Sequence, residues 1–141
     1  MSKTDYSVLM SVYEKENPLF LKQSIDSMLN QSLPPNQIVI VKDGKLTEEL
    51  DKVINKYQTD YKELYTIVEL KENVGLGLAL NEGLKACRNE LVARMDTDDI
   101  AVENRCELQV KMFLENENLS ILGSYIAEFE DKPEIIISSR V

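Results

Sequence analysis

The sequence predicts an α/β fold in which helices cover both faces of a mostly parallel central sheet. Short aliphatic and β-branched runs, the pattern of buried strands, alternate with longer segments whose apolar residues recur every three or four positions, the pattern of amphipathic helices. Regular alternation of this kind favours parallel pairing, because consecutive parallel strands need a long crossover between them.

The first half of the chain is predicted to form three strands and two helices. The strands are expected over residues 6–13, 37–41 and 64–70. Asn17 followed by Pro18 predicts the start of the first helix, and Thr47 predicts that of the second. The apolar residues expected to face the sheet are Leu21, Ile25, Met28 and Leu29 in the first helix and Leu50, Val53, Ile54 and Tyr57 in the second.

The second half of the chain continues the alternation. A turn at residues 73–77 is followed by a third helix, a strand over residues 91–95 and a fourth helix over residues 102–117. The predicted inward-facing residues are Leu76, Leu80 and Leu84 in the third helix and Cys106, Val110, Phe113 and Leu114 in the fourth. A fifth strand and a last extended piece are expected over residues 119–123 and 125–129.

One domain, residues 1–141, is expected, because 141 residues with a hydrophobic content of 43% suit a single core. The apolar triplet at residues 135–137 has no following partner, so it either pairs at a sheet edge or belongs to a longer protein. We favour a longer protein, interrupted after Val141.

The composition excludes several classes of function. Sixteen basic and twenty-five acidic residues give a net charge of −9, which disfavours nucleic acids and anionic membranes as main partners. The chain has no histidine, and Cys87 and Cys106 show no paired spacing, so zinc sites and histidine-based catalysis are disfavoured. No apolar run is long enough to span a membrane and no signal-peptide core is visible, which predicts a cytoplasmic setting.

The run Asp96-Thr97-Asp98-Asp99, directly after the strand predicted over residues 91–95, is the most informative feature of the chain. Carboxylates this close raise one another's pKa unless a cation or several donors compensate, so the run predicts a divalent ion or a hydroxyl-rich ligand. Oxygen ligands alone favour Mg²⁺ or Mn²⁺ over zinc. The alternative interpretation is an acidic turn that caps the next helix. Arg94 and Arg105 flank the run and either offset its charge, reach a diphosphate or form surface ion pairs.

Two further strand ends are predicted to lie beside this acidic run, because the carboxyl ends of neighbouring parallel strands share one edge of a sheet. Val12-Tyr13-Glu14 ends the first strand, and Tyr13 offers an aromatic face on which a nucleotide base could stack. Asp43 follows the second strand and is suited to accept a hydrogen bond from a base, although Asp-Gly is also common turn chemistry.

A glycine turn after the third strand is a further candidate for ligand contact. Gly75 and Gly77, flanked by Asn73 and Asn81, resemble a turn that lets a ligand approach the backbone at a helix N-terminus. A Rossmann dinucleotide fingerprint is disfavoured, because the third glycine is missing and the turn does not follow the first strand. The chain also lacks the phosphate-binding motif of P-loop enzymes.

Taken together, these motifs resemble the family 2 glycosyltransferases in order and spacing over nearly residues 6 to 130. The runs that carry the resemblance are residues 7–13, 27–32 (Ser-Met-Leu-Asn-Gln-Ser), 38–44, 73–83 and 96–99. The likeness is greatest to bacterial members that build exopolysaccharide or capsule repeat units, of the amylovoran-biosynthesis type, which share the stretches at residues 15–18 and 93–99.

The resemblance implies a GT-A type nucleotide-diphospho-sugar transferase fold and a role for each matching residue. The residue matching Tyr13 packs against the base, and the one matching Asp43 hydrogen-bonds the uracil ring in members that use UDP-sugars. Asp98 and Asp99 match the pair that contacts the ribose and holds Mn²⁺ or Mg²⁺, and Asp96 matches the leading acid of the Asp-x-Asp motif. The expected nucleotide-sugar-binding residues are Val12, Tyr13, Glu14, Asp43, Asn73, Gly75, Gly77, Asn81, Asp96 and Asp98, with Asp98 and Asp99 as metal ligands.

The activity implied is inverting transfer of a sugar from a nucleotide-diphosphate sugar, expected to be a UDP-sugar, to a glycan or lipid-linked acceptor. This places the protein at the cytoplasmic side, with peripheral association at the inner face of the membrane left open. Lys42 stands where family members commonly have an aspartate, and the catalytic base is expected beyond residue 141, in an acceptor-binding half. We therefore expect this chain by itself to bind donor nucleotide weakly and not to transfer sugar.

Two other functions stay open from the residues themselves. A sugar nucleotidyltransferase also uses clustered acids, but it would place a basic, glycine-rich loop after the first strand, where this chain has Glu14-Lys15-Glu16. A non-catalytic, Mg²⁺-binding regulatory domain would place its paired acids after the first strand and not after the fourth.

Overall fold

The structure, a computed structural model, describes residues 5–115 with their side chains, together with the backbone of residues 124–125 and 136–137. The described elements alternate as predicted. In chain order they are β1 (Tyr6–Val12), α1 (Pro18–Leu29), β2 (Gln37–Lys42), α2 (Glu48–Asp60), β3 (Tyr65–Glu69), α3 (Leu76–Ala86), β4 (Leu91–Arg94), α4 (Arg105–Glu115), β5 (Ser124–Tyr125) and β6 (Ile136–Ile137).

The first four strands form one parallel sheet in the order β3-β2-β1-β4. Each crossover between consecutive strands contains a helix, which is the connection that parallel strands require. The prediction of a parallel sheet is therefore confirmed, and the carboxyl ends of its strands share one edge. β5 and β6 form a separate antiparallel pair in which Tyr125 lies opposite Ile136. The strand predicted over residues 119–123 lies outside the described residues.

Helices cover both faces of the sheet, as predicted. Because side chains alternate along a strand, Val8, Met10 and Val12 of β1 face one side and Leu9 faces the other. The side of Met10 is covered by α1, α2 and α4, whose buried apolar residues join it in one core; these are Leu21, Ile25, Met28, Leu50, Ile54, Tyr57, Cys106 and Val110. The side of Leu9 is covered by α3.

The predicted helix starts are confirmed. The Asn17 side chain accepts hydrogen bonds from the backbone N–H groups of Leu19 and Phe20, at 2.9 and 3.2 Å, and Pro18 is the first helical residue. Thr47 caps α2 in the same way, by accepting a hydrogen bond from the Leu50 N–H. These side chains satisfy backbone donors that a helix N-terminus otherwise leaves without partners.

The inward face predicted for α3 is wrong for Leu76 and Leu84, whereas Leu80 packs against the sheet as predicted. Leu76 and Leu84 are about half exposed, and the buried residues of α3 are Ala79 and Gly83. A Cβ atom at Gly83 would lie 2.4 Å from Leu9 Cδ1 and 2.7 Å from Val41 Cγ2, so the helix approaches the sheet too closely for any side chain there. The small residues Ala79 and Gly83, together with the partly buried Leu80, therefore form the contact between α3 and the sheet.

The fourth helix is shorter than predicted and starts at Arg105 instead of residue 102. Cys106 and Val110 are buried as expected, whereas Leu114 is exposed and the polar Gln109 is buried. The Arg105 guanidinium donates to the Gln109 side-chain oxygen at 3.2 Å, which supplies the partner that a buried amide needs. Among the described helices, none is long and apolar enough to cross a lipid bilayer.

A polar contact joins α1 to α2 at the surface of the larger core. The Asp26 carboxylate accepts hydrogen bonds from the Tyr57 hydroxyl and from Lys22 Nζ, the latter at 2.8 Å. Burial by itself raises the pKa of Asp26, but the hydrogen bonds from Lys22 and Tyr57 outweigh it and hold this pKa below its usual value. The ionised carboxylate is thus favoured in the folded state.

Candidate functional site

The carboxyl ends of β1, β2 and β4 adjoin one another, as the sequence predicts. The Asp43 N–H donates to the Val12 carbonyl at 2.8 Å, which extends the pairing of β1 and β2 past the end of the strands. The Met95 N–H donates to the Leu9 carbonyl at 3.0 Å and does the same for β1 and β4. Three loops that carry candidate site residues therefore start from one edge of the sheet.

Asp43 links the end of β2 to the glycine turn that precedes α3. Its two carboxylate oxygens accept hydrogen bonds from the backbone N–H groups of Val74, at 2.7 Å, and Gly75, at 3.2 Å. The side chain is only 4% exposed. Gly75 has no side chain with which to cap α3, so the carboxylate of Asp43 takes over part of that task. Each oxygen keeps a second lone pair with which it can accept another donor.

The glycines of this region meet different demands. Gly44 has φ +87° and Gly75 has φ +93°, a backbone conformation that favours glycine. A Cβ atom at Gly44 would lie 2.8 Å from the Asn73 nitrogen, so the two loops touch through their backbones. Gly77 differs, because a Cβ atom there would meet nothing within 4 Å. Nothing in the described protein itself therefore calls for glycine at position 77.

The end of β1 presents an aromatic side chain to solvent. Tyr13 is 39% exposed, and Glu14 is exposed beside it, whereas the Val12 side chain is fully buried. Any contact that Val12 makes with a ligand must therefore use its backbone. The exposed Asn73 and Asn81 lie before and within α3. Glu16, which the sequence analysis did not single out, accepts a hydrogen bond from the Thr97 hydroxyl and joins the β1 loop to the acidic run.

Asp96, Asp98 and Asp99 have different surroundings. The Asp96 carboxylate is paired with the Arg94 guanidinium, whose Nε and Nη2 atoms lie 3.2 and 3.1 Å from the same oxygen. Arg105 reaches the same region and donates to the Arg94 carbonyl at 2.9 Å. Arg94 thus takes the surface ion pair that the sequence allowed for it, and Asp96 is the member of the run whose charge is directly offset.

Within residues 5–115, no lysine or arginine forms an ion pair with Asp98 or Asp99. Asp98 is exposed, and burial together with the charges of Asp98 and Asp96 raises the pKa of Asp99, against the opposing effect of Arg105 and Arg94. The surplus of negative charge is a feature that a bound cation would offset.

Carboxylate oxygens, as on Asp98 and Asp99, are ligands of the kind that Mg²⁺ takes together with water and a phosphorylated ligand. Across the described residues, no group of three or more acidic, histidine or cysteine side chains stands close enough to hold a metal ion by itself. Asp98 and Asp99 would therefore supply oxygen donors, and the remaining positions around Mg²⁺ or Mn²⁺ would go to water and phosphate oxygens. This is the usual arrangement where Mg²⁺ is bound together with a phosphorylated ligand.

The acidic loop also rests on α1. Ser24, Ser27 and Gln31, three polar residues of α1 and its C-terminal turn, contact the backbone on both sides of Asp98 and Asp99. The run at residues 27–32 belongs to the family resemblance, which implies no role for these residues. A repeat of polar residues at positions 24, 27 and 31 on an otherwise apolar helix face was the signal available in the sequence.

A groove with a volume of about 400 Å³ lies elsewhere, along the outer edge of β4. Its lining is mostly apolar and comes from β1, β4, α3 and α4; it includes Tyr6, Leu84, Leu91, Ala93, Cys106 and Phe113. Neither Tyr13 nor Asp43 lines this groove. Arg94 and Arg105 line it, but none of the residues expected to bind the donor or the metal does.

A parallel sheet that collects acids, an exposed aromatic side chain and a glycine turn at its carboxyl edge is typical of α/β domains that bind ligands at that edge. The particular family follows from comparison with known proteins. The model of Glycosyl transferase family 2 matches residues 7–140, nearly the whole chain. The chain belongs to this family, which confirms the resemblance seen in the sequence.

Curated relatives are similar over most of this chain. A UDP-Gal:alpha-D-GlcNAc-diphosphoundecaprenol beta-1,3-galactosyltransferase of Escherichia coli is 40% identical over 128 residues, which are 91% of this chain and 46% of the relative. The amylovoran biosynthesis glycosyltransferase AmsE of Erwinia amylovora is 39% identical over 126 residues, 89% of this chain and 47% of the relative. The chain thus spans about half the length of these relatives.

Solved structures share the fold. TarS of S. aureus in complex with UDP-GlcNAc superposes with a TM-score of 0.68 at 23% identity, covering 80% of this chain and 32% of TarS. A mannosyltransferase from Pyrobaculum calidifontis in complex with GDP-Man and Mn²⁺ gives a TM-score of 0.59 at 22% identity, covering 67% of this chain and 28% of that protein. The fold is of the GT-A type, as the resemblance implied.

Proposed function

We propose that this chain is the donor-binding part of an inverting glycosyltransferase that uses a nucleotide-diphosphate sugar. The observation that carries the proposal is the pair Asp98 and Asp99, which lies at the carboxyl edge of the sheet with a surplus of negative charge. Membership of the glycosyltransferase family favours this function over the nucleotidyltransferase and regulatory alternatives.

The described residues suggest how the donor is bound. Tyr13 has an exposed ring at the end of β1 and is suited to stack on the base. Gly77 leaves open space at the first turn of α3, where a ligand can approach the backbone closely. Asp96, whose charge is offset by Arg94, is suited to accept a hydrogen bond from a sugar hydroxyl more than to bind a cation.

Asp98 and Asp99 are proposed to hold Mn²⁺ or Mg²⁺ against the diphosphate. When bound, such an ion offsets the charge that develops on the leaving nucleoside diphosphate. The likeness to a solved complex that contains Mn²⁺ and GDP-Man supports a divalent cation in this fold but does not select the ion. The base is proposed to be uracil, since the name of the E. coli relative includes UDP-Gal and TarS was solved in complex with UDP-GlcNAc.

The whole protein is proposed to transfer the sugar to a hydroxyl of a glycan or lipid-linked acceptor in exopolysaccharide or capsule synthesis. The names of the relatives from E. coli and E. amylovora support an acceptor of this kind. The catalytic base is proposed to lie beyond residue 141, in the half of the protein that the relatives have in addition. We propose that the whole protein acts on the cytoplasmic side and contacts the membrane peripherally.

Isothermal titration of the chain with UDP, with and without Mn²⁺, tests the donor site. We expect weak binding that Mn²⁺ strengthens, and we expect the double variant Asp98→Asn, Asp99→Asn to lose the Mn²⁺-dependent part. Asp60→Asn, which changes an exposed acid at the end of α2, is the matched control and should bind as the wild type does. No heat at millimolar UDP and Mn²⁺, in protein shown to be folded, would contradict the proposal.

A further inference from the structure

The loop that carries Asp98 and Asp99 has little internal structure to hold it. Residues 95–104 form no helix or strand, and a backbone hydrogen bond from the Asp99 N–H to the Asp96 carbonyl, at 3.2 Å, closes a single turn within the acidic run. Two free-standing carboxylates on such a loop repel each other. Their positions must therefore be set by contacts from outside the loop.

Glu16 supplies one of those contacts through the Thr97 hydroxyl, and one face of α1 supplies several more. The Ser24 hydroxyl donates to the Asp96 carbonyl at 2.8 Å, and the Ser27 hydroxyl accepts from the Ala101 N–H at 3.0 Å. The two hydrogen bonds fix the backbone at Asp96, before the carboxylate pair, and at Ala101, after it. The carboxylate pair therefore lies between two anchors that come from adjacent turns of the same helix.

Gln31, just after the end of α1, adds a third anchor. Its side-chain amide donates to the Val102 carbonyl at 2.7 Å, and its side-chain oxygen accepts from the Cys106 N–H at 3.0 Å. Gln31 thereby joins the end of the loop to the first turn of α4. The amide is 4% exposed and the Ser24 side chain is fully buried, so neither can exchange these partners for water.

Ser24 and Ser27, at i and i+3, lie on one side of α1, and Gln31, at i+7, follows the end of the helix on that side. Apolar residues on the same side would fill the space equally well but could not bind the peptide groups of the loop. Octahedral coordination of Mg²⁺ tolerates little displacement of its ligands, and substitutions in the shell that orients metal ligands typically cost about 10–100-fold in metal affinity.

We propose that Ser24, Ser27 and Gln31 are positioning residues that hold the acidic loop in the geometry in which Asp98 and Asp99 bind a cation and a diphosphate. This inference rests on the proposed function for its ligand. It assigns α1 a role in donor binding although α1 carries none of the residues expected to touch the donor.

The test measures Mn²⁺ binding in the presence of UDP, by electron paramagnetic resonance of free Mn²⁺, together with hydrogen exchange of individual amides. The variants are Ser27→Ala and Gln31→Met, with Ser27→Thr as the conservative variant that keeps the hydroxyl. Gln23→Ala changes an exposed residue of the same helix and is the matched control. UDP binding without metal is measured for each variant.

We expect Ser27→Ala and Gln31→Met to weaken Mn²⁺ binding about 10–100-fold. UDP binding without metal should change less than threefold, and Ser27→Thr and the Gln23 control should behave as the wild type. The Ala101 amide should exchange faster in Ser27→Ala and the Cys106 amide faster in Gln31→Met. A residue that only stabilised the fold would weaken UDP binding with and without metal alike.

Unchanged Mn²⁺ binding in both variants, or equal losses with and without metal, would overturn the inference. If the folded wild-type protein binds no Mn²⁺ with UDP, the proposed function fails. In that case, hydrogen exchange still tests whether Ser27 and Gln31 anchor the loop. If the Ala101 and Cys106 amides of the variants exchange as fast as in the wild type, the anchoring is overturned too.

Discussion

Replacing Asp43 should separate its structural contribution from its predicted contact with the nucleotide base. Its carboxylate accepts hydrogen bonds from the N–H groups of Val74 and Gly75 and is almost fully buried. Asp43→Ala removes both acceptors. Asp43→Asn keeps one oxygen for one N–H but sets its amide group against the other, so two donors face each other.

The size of the effect follows from these two hydrogen bonds. A hydrogen bond to a charged group contributes about 1.5–3 kcal/mol to the free energy of unfolding. Water can reach the freed N–H groups at the turn, so we expect the lower end: about 3 kcal/mol for Asp43→Ala and about 1.5 kcal/mol for Asp43→Asn. For a chain of this size these losses correspond to a lower Tm, by about 12 °C and about 6 °C.

Urea titration followed by circular dichroism measures the free energy of unfolding, with Asp60→Asn as the control for loss of an exposed acid. Substitutions at the protein surface usually change the free energy of unfolding by less than about 0.5 kcal/mol. If both Asp43 variants stay within that limit of the wild type, the reasoning is refuted.

The contact with the base is tested separately with UDP methylated at N3. If the Asp43 carboxylate accepts from the uracil N3–H, the methyl group weakens binding to the wild type but makes little difference to Asp43→Asn. Equal losses for the two proteins would leave Asp43 with the structural role alone.

Three further predictions concern α3, the acidic run and acid stability. Gly83→Ala should lower the free energy of unfolding by about 1–2 kcal/mol in chemical denaturation, because its Cβ atom would collide with the sheet. Gly77→Ala places its Cβ atom in open space, so it should be as stable as the wild type but weaken UDP binding about tenfold in a titration. Asp99→Asn should weaken Mn²⁺ binding in the presence of UDP more than Asp96→Asn does, because Arg94 already pairs with Asp96, and equal losses would contradict this difference. The pKa of Asp26 is below its usual value in the folded state, so its ionised carboxylate stabilises the fold at neutral pH, and this stabilisation is lost as the pH falls through the lowered pKa. The free energies of unfolding of the wild type and Asp26→Asn, measured over a range of pH, should therefore differ at neutral pH and become equal at low pH.

The alternation of elements and the helix starts could be predicted because both depend on neighbours in the sequence. Asn17 and Thr47 cap the residues two or three positions ahead of them, and the buried face of α1 follows the period of a helix. The parallel order of the sheet follows from the helical crossovers.

The face of α3 could not be predicted from its pattern. Leu76 and Leu84 have the periodicity of a core stripe, but the distance between α3 and the sheet is set by Leu9 and Val41, which leave no space for a side chain at Gly83. Hydrophobic periodicity measures which residues avoid water and does not report how closely two elements approach.

The sequence predicted where in the fold the candidate site lies, but it predicted only some of the contacts that its residues make. The edge of the sheet follows from topology, whereas the hydrogen bonds of Asp43 to Val74 and of Gln31 to Cys106 join residues 31 and 75 positions apart. No local pattern specifies such a pair. Whether the residues expected to bind the donor do so stays a prediction.

The anchors that α1 provides have a consequence for substitutions in the acidic loop. Ser24, Ser27 and Gln31 hold the loop and the start of α4 through peptide groups, and every residue type except proline presents the same peptide N–H and C=O groups. Exchanging the carboxylates of Asp98 and Asp99 for amides therefore leaves all of these hydrogen bonds in place. A loss of Mn²⁺ binding in such variants reports the missing charges and not a collapsed loop.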